Sequence, residues 1–289
     1  MAKLRRKNHD LPECYQKGFA DFSGRVWVKR HDEAEPQLRN PSSVGKTPNL
    51  YIRKNLDGSE SDAVERFFDK DVENSFALLS QRIKKEQDQF SEISGVELGT
   101  LCRFVASQAV RTLAHKRCIE TQAGAAVDTN TFVGVILRQM WTIMHFWITN
   151  SPKVHFYTSL SLVGEYYITG DSPVLVILMN DNAIWTPTSA PTKSITDVTE
   201  ILKNPKYGFL VTLSPYVCVL IHGEGGNGDV HLPPQKVEQR DVRFINNLIR
   251  DQSAIFTLAR DRDSLISLPN SGVSEPAIPT PQLQDNIQR

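Results

Sequence analysis

Three groups of residues have the types and spacing to do chemistry. The first is Asp171, a lone carboxylate between apolar runs in "ITGDSPVLVIL", residues 168–178. Gly170 permits unusual backbone angles and Pro173 biases Ser172 to extended geometry, so this stretch reads as a strand running into a turn. Asp171 is there either to accept the N–H groups of its neighbours, or as a base or ligand at a strand end. The second group is Gln108, Arg111 and His115, which fall in or beside the apolar sector of one helix with Leu101, Phe104 and Val105. Polar groups so placed need partners. They form either a structural network tying the helix to a sheet, or a site in which Arg111 and Gln108 hold an anionic or planar ligand. The third group is the acidic row Glu65, Asp69 and Glu73, at i, i+4 and i+8. Converging carboxylates can hold magnesium in a phosphodiesterase, whereas most acidic rows are simply solvated helix faces.

A fourth feature is a polar seam, Arg138, Thr142, His145 and Thr149, on an otherwise apolar helix. It is the solvent side of that helix, or it lines a pocket shared with Gln108 and Arg111. The remaining motifs carry less. "GKT" at residues 45–47 lacks the GxxxxGK[ST] spacing and is followed by Pro48, so it is no phosphate loop. "HGEGGNGDVH" (222–231) precedes two prolines and reads as a loop rather than a phosphate cradle. HExxH, GxSxG and Gly-rich dinucleotide motifs are absent.

The elements that must position these residues follow from periodicity. Apolar residues at three- and four-residue steps predict helices over 62–90, 96–122 and 131–149, with Asp62 and Glu65 as an N-cap pair for the first. Period-two stretches predict strands over 26–28, 155–161, 165–169, 174–178, 208–213 and 217–222. Residues 32–49 read as a surface loop, 237–260 as a closing helix, and the proline-rich 268–289 as a disordered tail. Helices grouped ahead of strands indicate one α+β domain over 1–267, with N-terminal helices packed on a mostly antiparallel sheet and a C-terminal helix closing it.

Composition sets the outer bounds. Lys plus Arg and Asp plus Glu both number 33 in 289 residues, so no global field draws the chain to nucleic acid or anionic lipid. Nucleic acid or a nucleotide would have to bind through a local patch, and nothing signals an oligomer. Four scattered cysteines without metal spacing argue against a zinc site or a disulfide scaffold and suit a reducing, cytoplasmic setting. The basic residues 1–7 lack an apolar segment after them, so they do not read as a secretory signal. Arg138 in mid-segment argues against a membrane span over 131–149.

Several of these stretches together resemble a family. His9, Pro12 and Phe19 match the opening of the widespread, mainly bacterial family known as domain of unknown function 4238, with Asp10, Cys14 and Gln16 as departures. Tyr51, Glu65 and Glu73 stand where its tyrosine and acidic helix do. Gln108, Arg111 and Thr112 match its Gln-x-x-Arg-Thr element. Asp171 and Pro173 match its Ser-Asp-Asn-Pro turn, with Gly170 and Ser172 departing, and residues 212–215 and 244–249 resemble its later Leu-Ser-Pro turn and Asn-bearing helix. The family brings no established activity. The resemblance implies that His9, Glu65, Gln108, Arg111 and Asp171 form one constellation. The expectation is then a phosphodiester hydrolase or nuclease-like effector, with Asp171, Glu65 and His9 as base, acid or ligands, and Gln108 and Arg111 holding the anion. Magnesium is the cofactor such chemistry would use. The alternative is a non-catalytic protein that binds a ligand, nucleotide or partner at the same place.

Overall fold

The alternating apolar stretches after residue 150 pair into the sheet around which everything else is packed. The computed structural model describes residues 4, 7–90, 92–159, 166–178, 198–203, 207–223 and 235–266. The chain opens with β1 (Lys7–His9), α1 (Glu13–Gly18), β2 (Val26–Arg30), β3 (Gln37–Arg39) and β4 (Lys46–Pro48). A small hairpin, β5 (Arg53–Lys54) and β6 (Glu60–Ser61), leads into α2 (Ala63–Phe67), a π-helical segment (Phe68–Glu73) and α3 (Asn74–Glu86). Then come α4 (Gly95–Val110), α5 (Leu113–Ala123) and α6 (Thr129–Asn150). Next follow β7 (Lys153–Ser159), β8 (Thr169–Gly170), β9 (Val174–Leu178), α7 (Val198–Lys203), β10 (Tyr207–Thr212) and β11 (Val217–His222). The last described elements are β12 (Gln235–Val237), α8 (Gln239–Gln252), β13 (Phe256–Ala259) and α9 (Asp263–Ile266).

The main sheet has the order β12-β7-β11-β10-β9, antiparallel throughout except for the β12–β7 pair. Apart from the edge strand β12, its strands are buried on both faces. Val154, Phe156, Val174, Val176, Phe209, Val211, Val217, Val219 and Ile221 point into the core shared with α3, α4 and α6. The alternate residues, Tyr157, Leu175, Ile177, Leu210, Cys218 and Leu220, meet Val242, Ile245 and Ile249 of α8. This is the period-two alternation of a strand with helices on either side. α6 buries Phe132, Val133, Ile136, Met140, Ile143 and Trp147 along one stripe, each such side chain contributing roughly 1.5–3 kcal/mol. A second sheet, β3-β2-β13-β8, is antiparallel throughout, and β1 pairs with β4 as a separate ribbon.

The α+β architecture agrees with the sequence reading, and the details differ in instructive places. The helix expected over 96–122 is two helices: Thr112 leaves helical geometry, and its Oγ1 accepts the N–H of His115 at 3.1 Å as the cap of α5. The closing helix expected over 237–260 stops at Gln252, and residues 256–259 become β13, because they complete the sheet beside β2. The loop expected over 32–49 contains β3 and β4. Asp62 does not cap its helix; its carboxylate pairs with Arg66 at 2.8 Å instead. Of the strand expected over 165–169, the described residues 166–168 are not strand and Thr169 is. The tail from 268 and the Gly-rich 224–231 lie outside the described residues. No described helix is long and apolar enough to cross a membrane.

Candidate functional site

Arg111 is the centre of the most heavily charged part of the interior. The α4–α5 break makes it the C-cap residue of α4, and its own carbonyl, released from the helix, accepts the Tyr51 hydroxyl at 2.7 Å. The side chain is fully buried. Its Nη2 donates to Glu73 Oε1 at 2.6 Å and to the His9 carbonyl at 3.0 Å, and the guanidinium lies over the Phe68 ring, 4.6 Å from its centroid. A charge can be buried this way because it is ion-paired, hydrogen-bonded and stacked at once. Glu73 ends the π-helical segment, whose wider turn changes the helical phase between Glu65 and Glu73. Both carboxylates act on Arg111, and with Tyr51 they more than offset the burial that opposes its charge.

The groups around Arg111 are perturbed in a consistent way. Burial pushes the Glu65 carboxyl up to about 7, against the pull of Arg111 and of a hydrogen bond from Asn8, while Glu73 and Asp69 add to the push. Burial, Lys46 and Arg111 lower the His9 pKa against Glu73 and Glu13. Asp10 is 1% exposed; burial raises its pKa, although its own N–H, the N–H of Leu11 and Arg111 oppose the rise. One cation thus sits among several carboxyls, of which Asp10 and Glu65 are held toward the neutral form.

Gln108 lies one turn before Arg111 on the same face of α4. Its place is bracketed. Phe104, four residues earlier, stacks on Phe76 at 3.6 Å and packs against Tyr15 of α1, while Arg111 reaches β1 and the π-helical segment. Gln108 is 0% exposed, and neither its Oε1 nor its Nε2 has a hydrogen-bond partner. Arg111 Nε and Nη1, His9 Nδ1, Glu65 Oε2 and Gln16 Oε1 are likewise buried and unpaired. Each buried polar group left without a bond costs about 1–3 kcal/mol, and Gln108, with both polar atoms of its side chain open, calls for a functional explanation.

Asp171 has a different position. It begins the turn that carries the chain from β8, in the second sheet, to β9, in the main sheet. Its Oδ1 accepts the N–H groups of Ala254 at 3.0 Å and Phe256 at 3.4 Å, and its own N–H donates to the Phe256 carbonyl at 3.2 Å. The partners are not the turn's own neighbours but a segment more than eighty residues later. Gly170 has no left-handed φ; it is needed for space, because a Cβ there would lie 1.9 Å from Ser253 Oγ. Burial pushes the Asp171 carboxyl up to about 6, the N–H groups of residues 254–256 oppose this, and Asp10 adds to it. Asp171 is therefore linked to the Arg111 cluster through Asp10, and its Oδ2 is buried and unpaired.

The structure brings His9, Glu65 and Arg111 into contact or direct electrostatic reach, with Gln108 a helical turn away and Asp171 bound to the β13 side. Asp10 and Gln16 belong to the same interior and were not singled out from sequence as site residues. The one available signal was that both depart from the family pattern. Glu73, read as part of an acidic row, is the main partner of Arg111. His115 is buried and bonded to Gln139 of α6 at 2.7 Å, a helix-to-helix tie. Arg138, His145 and Thr149 are exposed on α6, the solvent-side reading of that seam. Among the described residues no group of three His, Cys, Asp or Glu side chains is placed to hold a metal ion.

The family model described as Protein of unknown function (DUF4238) matches residues 7–263, most of the chain. The chain belongs to this family. No curated protein and no solved structure matches it. On this DUF4238 chain the motifs shared with the family divide by role. Those around Tyr51, Glu65, Glu73, Gln108 and Arg111 build the charged cluster. The Asp171 turn, the Leu-Ser-Pro turn and the Asn-bearing helix build the junction between sheets: Asn246 accepts the Ile168 N–H at 3.0 Å and donates to the Tyr166 carbonyl at 2.9 Å, and Ser214 Oγ accepts the N–H groups of Tyr216 and Val217 at 3.2 Å.

Proposed function

We propose that this chain binds a small polar ligand at the Arg111 cluster, the ligand supplying hydrogen bonds that the folded chain leaves open. One observation carries this reading: Gln108, Arg111, His9 and Glu65 all keep buried polar atoms without partners. Structural networks are normally satisfied, whereas a binding site is completed by what it binds. His9 and Glu65 are half-buried and Arg111 is fully buried, so a ligand would meet the first two before the third. Calorimetric titration of the parent and of Arg111→Lys with mononucleotides and small polar compounds tests it. Arg111→Lys keeps the charge but loses the planar fork, so its affinity should fall at least tenfold. Equal affinity for both proteins sinks the reading.

Hydrolysis of a phosphodiester is the second reading, favoured by Glu65. A carboxyl near 7 is half-protonated at neutral pH and suited to general acid–base work, with His9 beside it. A phosphate would have to replace Glu73 on Arg111, which makes this reading the more demanding of the two. Hydrolysis of a nitrophenyl phosphodiester, with and without magnesium, should then follow a pH profile with a limb near 7 that disappears in Glu65→Gln.

A further inference from the structure

The polar atoms left open in the cluster also describe what would close them. The Gln108 amide offers two donors and an acceptor side by side, and every one of them is unpaired in a side chain that is 0% exposed. None of these atoms is exposed in the folded chain, so a ligand reaches them only when the chain opens. The charge at the site is already balanced: Arg111 is paired with Glu73, and Glu65, Asp10 and Asp69 add only further carboxyls. Lys46 faces His9 across the β1–β4 ribbon but is exposed, so an anion finds no spare buried positive charge here. A planar amide would find complementary donors and acceptors at Gln108 and further N–H donors at Arg111 Nε and Nη1; Phe68 stacks on that guanidinium, and Phe104, one turn before Gln108, packs on Tyr15.

Resting on the binding reading above, we infer that the Arg111 cluster takes a neutral ligand with an amide edge, a carbonyl beside an N–H as in a nucleobase or a carboxamide, and that Gln108 is the group that reads it. Two adjacent, oppositely directed hydrogen bonds to the Gln108 amide are the most selective contact the site can make, because an analogue lacking either one leaves a buried group unpaired. The opening this requires falls to the β1–β4 ribbon, whose His9 carbonyl lies on Arg111 and which, among the described residues, pairs with neither sheet. A two-stranded ribbon of three residues a side is the kind of element that opens locally.

The test uses the full chain, with uracil, cytosine, nicotinamide and inorganic phosphate as separate probes, followed by calorimetry and by thermal melting. The expected result is that a nucleobase or the carboxamide binds and raises the melting temperature while phosphate does neither; the arm that binds names the source of the amide edge. Gln108→Met, close in volume and apolar, should weaken that probe at least tenfold and melt at or above the parent. Unchanged affinity in Gln108→Met overturns the inference, and so does a Gln108→Met chain that melts lower or fails to fold, since the amide is then structural. If phosphate alone binds and Arg111→Lys abolishes it, the inference fails while the binding reading stands. If no probe binds the parent, both fall.

Discussion

The carboxyls of Asp171 and Glu65 make the protein's stability depend on pH in a definite direction. Both have folded-state values above those of an unfolded chain, so the folded state holds protons that the unfolded state has lost. Their contribution is complete below the unfolded value of 3.8, falls as pH rises from there through 6 and 7, and is spent above that. For Asp171 a rise from 3.8 to about 6 corresponds to at most about 3 kcal/mol. Asp171→Asn keeps an acceptor for the Ala254 and Phe256 N–H groups and carries no charge. It should melt at or above the parent at pH 8 and no higher at pH 4, as scanning calorimetry at the two pH values would show. Asp171→Ala strands both N–H groups and should melt several degrees lower at either pH. A normal melt of Asp171→Asn with lost ligand binding would give Asp171 a part in the site. Glu73 is the opposite case. Its removal leaves the buried Arg111 charge without its closest partner, so Glu73→Ala should cost about 3 kcal/mol or more in denaturant unfolding. Arg111→Met/Glu73→Ala should recover much of that loss.

At the scale of elements, two short breaks decide where the side chains point. The α4–α5 break turns Arg111 into the interior and frees its carbonyl for Tyr51, and it rests on the Thr112 cap. Thr112→Val removes that cap and should cost about 1 kcal/mol, with a larger effect on ligand binding than on melting if Arg111 shifts. The close approach of β8 to the end of α8 is the second. Gly170→Ala drives a methyl into Ser253 Oγ and against the Phe256 carbonyl, 3.0 Å away, and should cost about 2 kcal/mol, typical of overpacking. Ser253→Ala in the same chain should restore part of this, and additive losses in urea melts would show that the two positions do not meet.

Across the whole molecule, a few polar bonds tie the two sheets together in addition to the apolar core they share. The Tyr15 hydroxyl binds Thr169 Oγ1 at 2.8 Å, in the second sheet, and the carbonyl of Thr212, in the main one. The Thr212 hydroxyl donates to the Ile168 carbonyl at 2.7 Å, and Asp171 secures the turn that passes between them. Tyr15→Phe keeps the ring against Phe19 and Phe104 but leaves Thr169 and Thr212 without that hydroxyl. A loss of about 1–2 kcal/mol is expected, with faster hydrogen exchange in β8 and β13; exchange unchanged in both strands would mean the sheets are joined by apolar packing alone.

The amino-acid sequence alone determined the elements whose signal is local. The stripe of α6, the alternation of β9, β10 and β11 and the α+β order are set by which residues recur at 3.6 or 2, and burial follows that pattern. It also marked Gln108 as a polar residue on an apolar face, which is where it lies. What only the tertiary structure decided depends on residues distant along the chain. Residues 256–259 read as the end of the closing helix, and become a strand because β2 lies beside them. The helix over 96–122 breaks because Thr112 caps α5 and Arg111 meets Glu73 and His9, thirty-eight and one hundred and two residues away. Asp171 looks like a local turn residue in sequence, yet its bonds go to Ala254 and Phe256. Periodicity reports the face on which a side chain emerges; the partner it meets there is fixed only when the sheets and helices pack.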